Sequence, residues 1–144
     1  MITTQEMLDT VPTGVLLGSE DVAAAIDACL RCTQACTTCA DADLVEDDVD
    51  EMRECIALCL NCADVCALTA RLLSRPAHSD EYVIHRVLDA CVRVCTACAE
   101  ECHRHAHHHR HCALSETVCR ECIRACQALL DTKTFADIQR LAAS

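Results

Sequence analysis

Sixteen cysteines recur along this 144-residue chain at intervals of three and four residues, and no other property of the sequence constrains the fold as tightly. Cys29, Cys32, Cys36 and Cys39 step by 3, 4, 3; Cys55, Cys59, Cys62 and Cys66 by 4, 3, 4; Cys91, Cys95, Cys98 and Cys102 again by 4, 3, 4. Cys112, Cys119, Cys122 and Cys126 step by 7, 3, 4, so one slot is missing, and Ser115 fills it. Alternating steps of 3 and 4 average 3.5 residues, the period of a helix seam packed in a left-handed bundle. Every cysteine therefore stands where a bundle ordinarily places Leu or Ile.

The helices that carry these seams have recognisable ends. Ser19 reads as the N-cap of a first long helix running to about Asp43. Asp48, with Glu51 three residues on, gives a capping-box pattern for a second, which ends near Leu73 ahead of Pro76. Ser79, followed by Asp80 and Glu81, starts a third, with acids well placed for the helix dipole. Its boundary with the fourth lies within His103 to His111, and the fourth ends near Asp131. Short helices are expected over Thr4 to Thr10 and Lys133 to Ala143, the latter with Phe135, Ile138 and Leu141 on one face. The fold class predicted is all-α: an antiparallel, up-down-up-down four-helix bundle over residues 19–131, with short N- and C-terminal helices, in a single domain spanning 1–144.

Antiparallel packing gives the two ends of this bundle different characters. Val22, Ile26, Leu73, Ile84, Leu88, Leu129 and Leu130 continue the seams at one end and form an apolar plug. The other end collects Asp43, Met52, His105, His109 and Cys112. The expected object is a tube lined by thiols, sealed at one end and open at the other. At the open end, Met52 Sδ and imidazole from His105 or His109 are the neutral donors placed to accept a metal and pass it inward. His103, His107 and His111 share a face away from the seam and are expected at the surface; His108 is undecided. His78 and His85 are expected to be structural, Asp43 a solvated helix end, and Asp64 a helix-flank residue.

Composition narrows the guest. With only Gly14 and Gly18, the chain has no Gly-rich cradle for a nucleotide phosphate. Twelve Lys and Arg against twenty-three Asp and Glu leave a net charge of −11, which argues against nucleic acid or an anionic membrane and favours a cation. A cysteine content of 16/144 is that of a secreted disulfide scaffold. Met1 to Gly18, however, has no Lys or Arg and no apolar run of signal-peptide type, so the expected compartment is the cytoplasm, where thiols stay reduced.

Among metals, charge decides. A zinc ion held by four thiolates carries −2, and four such sites would stack −8 along a ladder about 15 Å long. Cu(I) is soft, prefers thiolate and accepts two or three ligands. If each ion bridges two thiolates and each thiolate two ions, about one Cu(I) per cysteine leaves the filled core nearly neutral. Without metal, a protonated cysteine packs as a small hydrophobe, so the seam folds empty.

The segments CLRCTQACTTC, CIALCLNCADVC, CVRVCTACAEEC and CRECIRAC, with a His-bearing turn before the last, resemble the cytosolic copper storage proteins of bacteria over roughly Ser19 to Asp131. The resemblance implies that all sixteen cysteines are Cu(I) ligands, that the histidines after Cys102 form the entrance, and that the protein assembles as a homotetramer. Ser115 and the density of His depart from that pattern. Copper ions, and a copper chaperone as carrier, are the partners it implies. A disulfide-braced or zinc-binding structural or redox helical protein is the alternative. Catalysis is not expected: Cys112 and His109 can be drawn as a nucleophilic pair, but no oxyanion-hole loop or orienting third group accompanies them.

Overall fold

The computed structural model describes residues 1–143. Four long helices carry the cysteines: α2 (Ser19–Asp43), α3 (Arg53–Leu73), α4 (Glu81–His105) and α5 (Arg110–Leu130). A short α1 (Thr4–Leu8) precedes them and α6 (Lys133–Ala143) follows, and no strand occurs among the described residues. Each long helix packs along two others, in the ring α2, α3, α4, α5 and back to α2, while α1 lies on α2 and α6 on α4 and α5. Sulfur contacts show the relative directions. Cys66, late in α3, meets Cys91, early in α4, at 3.8 Å, and Cys59, early in α3, meets Cys102, late in α4, at 3.8 Å. That pairing of late with early positions is the pattern of antiparallel neighbours.

The seam is buried along its whole length. All sixteen cysteines lie in the core, and so do Val22, Ile26, Leu73, Ile84, Leu88, Leu129 and Leu130 at the sealed end. α6 closes over that end with Phe135 and Ile138, while Leu141 is 65% exposed: an 11-residue helix crossing the ends of α4 and α5 runs past the core before its last turn. His85 is buried there, edge-on to Phe135 at a ring separation of 5.5 Å. The stretch Val49–Leu73 is long and apolar enough to cross a membrane by composition; much of that apolar content is the Cys line of α3, which faces the bundle.

Helix ends differ from the sequence expectation at three places. The N-cap of α2 is Gly18, whose φ of 88° a β-carbon would strain, and Ser19 is the first helical residue, its hydroxyl bonded to Asp9. Asp80, not Ser79, caps α4, accepting from the backbone N–H groups of Tyr82 (2.9 Å) and Val83 (3.2 Å). Asp48 caps nothing with its side chain. Residues Val49–Met52 form a turn of 3-10 helix and α3 begins only at Arg53, which leaves the Asp48 carboxylate free to face the turn between α4 and α5.

Candidate metal centre

The bundle geometry turns a sequence of seams into layers of sulfur. Nearest the plug, Cys29 lies 4.0 Å from Cys91, 3.6 Å from Cys122 and 3.8 Å from Cys126. Cys66 joins this layer to the next through Cys62 (3.9 Å) and Cys95 (3.5 Å). In the middle, Cys32 meets Cys62 at 3.6 Å and Cys119 at 3.7 Å, and Cys36 meets Cys98 at 3.8 Å. Further out, Cys98 reaches Cys59 (3.6 Å) and Cys102 (3.9 Å), and Cys59 reaches Cys55 (3.9 Å). These fourteen sulfurs form one continuous path. Cys39 and Cys112 stand as a separate pair at 3.9 Å, joined to the rest where Cys39, Cys55, Cys59 and Cys102 come within 4.8 Å of one another.

Every cysteine is a free thiol. Their protons are shared along the path: the Cys126 thiol is pushed up as it donates to Cys122 and by burial, and Cys122 is correspondingly held down as the acceptor. A first thiolate in a layer is thus stabilised by neighbouring S–H donors, whereas further deprotonation accumulates charge out of water and needs a cation. Ser115, the non-cysteine of the ladder, is also buried, its hydroxyl 3.5 Å from Cys36 Sγ. The gap in the seam is therefore filled by a hydrogen-bonding group and leaves the ladder intact on either side.

At the open end the structure rearranges the expected donors. Met52 is fully buried one turn before Cys55. His105 Nε2 lies 3.0 Å from Glu101 Oε1, and Glu101 is itself buried. His109 is held between two carboxylates, Glu46 at Nδ1 and Asp48 at Nε2, the latter at 3.0 Å. The ring that meets the cysteines is His111, expected at the surface: its Nδ1 is 3.3 Å from Cys39 Sγ and 3.6 Å from Cys112 Sγ. Asp43, expected to be solvated, is 0% exposed, with Oδ1 3.5 Å from His111 Nδ1 and 3.8 Å from Cys112 Sγ. Burial pushes the Asp43 carboxyl above the usual carboxylate range. His103 pairs with Glu116 on the exterior, and His78, His107, His108 and Asp64 are exposed.

Four groups of four cysteines, and a further group of Cys39 and Cys112 with Asp43 and His111, therefore present ligand atoms close enough to share metal ions. A model of the copper storage protein family matches residues 18–131, the span of the Cys-bearing helices. The chain belongs to the copper storage protein family. Its fold is shared with the copper storage protein Ccsp of Streptomyces lividans loaded with 10 copper equivalents, at 47% identity and a TM-score of 0.84, covering 89% of this chain and 98% of that one. A cytosolic copper storage protein from Streptomyces lividans with five coppers matches at 50% identity and a TM-score of 0.77, over 78% of this chain and 94% of that one. The uncharacterized cysteine-rich protein YhjQ of Bacillus subtilis is 33% identical over 106 residues, 73% of this chain and 94% of that one. The family is named for copper storage, and its solved relative from Streptomyces lividans carries copper.

Proposed function

We propose that this family member stores multiple Cu(I) ions in the cytosol, held by the thiolates of all sixteen cysteines inside the bundle and loaded through the end that bears His and Met. The observation that carries this reading is the continuous path of buried, reduced sulfurs. Neighbouring thiols at 3.5 to 4.0 Å suit an ion that bridges two of them, and a ladder without breaks suits many such ions. Each ion replaces a thiol proton, so uptake leaves the core near neutral and releases protons to solvent.

Entry follows from the donors at the open end. His111 with Cys39 and Cys112 receives the first ion, and Cys39 then shares it with the Cys55, Cys59 and Cys102 layer. His105, His109 and Met52 complete the entrance, the two histidines drawn there by Glu101, Glu46 and Asp48. A chaperone that delivers Cu(I), and assembly of the chain into homotetramers, belong to the same proposal, supported by family membership.

Anaerobic titration of the reduced protein with Cu(I) against a chromophoric chelator, with thiols counted before and after, tests the reading. About one Cu(I) per cysteine, with thiols becoming unreactive, is expected. Saturation at one or two ions, or eight disulfides in protein isolated under thiol-blocking conditions, overturns it. Replacing His105, His109 and His111 together by Ala should slow uptake and leave capacity nearly intact; an equal loss of capacity would move the entrance elsewhere.

A further inference from the structure

A buried carboxylate is out of place in a pathway for Cu(I), a soft ion that selects sulfur and tolerates imidazole. Asp43 is nonetheless 0% exposed, its Oδ1 facing the Cys112 thiol and the His111 imidazole and its Oδ2 lacking any hydrogen-bond partner. The four ligand atoms involved lie within 4.8 Å of one another. An ion bound tetrahedrally at about 2.3 Å to sulfur and about 2.0 to 2.1 Å to nitrogen or oxygen sets an S–S edge of about 3.8 Å, S–N and S–O edges of about 3.5 Å and an N–O edge of about 3.4 Å. Here the S–S edge is 3.9 Å, the two S–N edges are 3.3 and 3.6 Å, the Cys112 S–O edge is 3.8 Å and the N–O edge is 3.5 Å. These five edges lie within about 0.3 Å of such a tetrahedron, and the sixth, from Cys39 to Asp43, is within 4.8 Å.

We propose that Cys39, Asp43, His111 and Cys112 form a single Zn2+ site at the open end of the tube, distinct in donor set and geometry from the all-thiolate interior. Two thiolates, a carboxylate and a neutral imidazole bring the occupied site to −1, against −2 for zinc among four interior cysteines, and binding displaces at most two thiol protons. The interior layers have no partly exposed ring such as His111 to share their charge with solvent. His111 Nε2, unpartnered, sits 3.9 Å from Glu46 Oε2, so a small shift gives the imidazole the carboxylate that zinc-bound histidines keep behind them. The site stands on its own geometry. Its consequence, that zinc occupies the two thiols through which copper enters and slows loading, rests on the storage reading above.

The test uses the full-length, reduced, copper-free protein and Zn2+ alone, titrated anaerobically against a chromophoric zinc chelator, with Co2+ as a spectroscopic substitute. One Zn2+ per chain is expected, with tetrahedral d–d bands and thiolate charge-transfer absorption for Co2+. Asp43→Asn and His111→Ala should each weaken zinc at least tenfold, and Asp64→Asn, on the exposed side of α3, should not; circular dichroism checks that all three fold. Failure to hold zinc against the chelator overturns the site, and so does uptake of several Zn2+ with an affinity that Asp43→Asn leaves unchanged. Zinc binding that fails while Cu(I) still fills about one site per cysteine removes this inference alone. Zinc binding as expected beside a Cu(I) capacity of one or two removes the storage reading alone.

Discussion

His109 shows what a single residue does at the open end. Its pKa is raised, first by the hydrogen bond to Asp48 and then by the charges of Asp48 and Glu46, while the Asp48 carboxyl is held below its usual range by the same ring. A raised histidine stabilises the fold fully below its unfolded pKa of about 6.5 and loses that contribution as pH rises through the folded value; a lowered carboxylate loses its share as pH falls through its own folded value. The contact between α2–α3 loop and α4–α5 turn is therefore strongest in the window between the two. NMR titration of the metal-free protein should find His109 titrating above the ordinary histidine value of about 6.5, and Asp48→Asn should bring it down; a midpoint at or below that value would show that the contact is not formed. The sequence placed His105 and His109 on the seam by running the α4 register past Cys102. That register ends at His105, α5 starts afresh at Arg110, and the ring that meets the thiols is the neighbour of Cys112 in the new helix. Adjacency of His111 to Cys112, and the four-residue step from Cys39 to Asp43 on one helix face, were the signals available.

Among the elements, α4 depends on its cap more than its neighbours do. Asp80 satisfies two N–H groups of the first turn, whereas α3 starts from a 3-10 turn with no side-chain cap and α2 from a glycine. Asp80→Ala should cost about 1 kcal/mol and lower Tm by thermal denaturation, with Cu(I) capacity unchanged because no cysteine lies within two turns of the cap. A capacity that falls with Tm would mean that the start of α4 sets the spacing of the sulfur layers. Helix existence was legible from the 3.5-residue period alone. Helix caps were displaced by one residue from Ser19 and from Ser79, and by four from Asp48, because a capping pattern in sequence competes with whatever else its side chain can reach in the folded chain.

For the whole molecule, the division of labour between the two ends is the main physical fact. Leu88 and Leu129 are 0% exposed in the plug, and no layer of cysteines has such side chains. Leu88→Ala should destabilise the metal-free protein by about 2 to 5 kcal/mol in denaturant unfolding while the number of Cu(I) bound stays the same; a proportionate loss of copper sites would show that the plug shapes the thiol core as well as holding it. The number of thiols, their common seam, the helical class and the contrast between apolar and polar ends are already written in the order of residues, since all of these depend on periodicity along one chain and on residue type. Which sulfurs touch, that Cys39 pairs with Cys112 at the edge of the other fourteen, and that Asp43 and His111 turn inward while His109 is held by Glu46 and Asp48 emerge from the packing of the helices. Those outcomes depend on distances between helices and on the path of the turns joining them, and local periodicity carries no information about either.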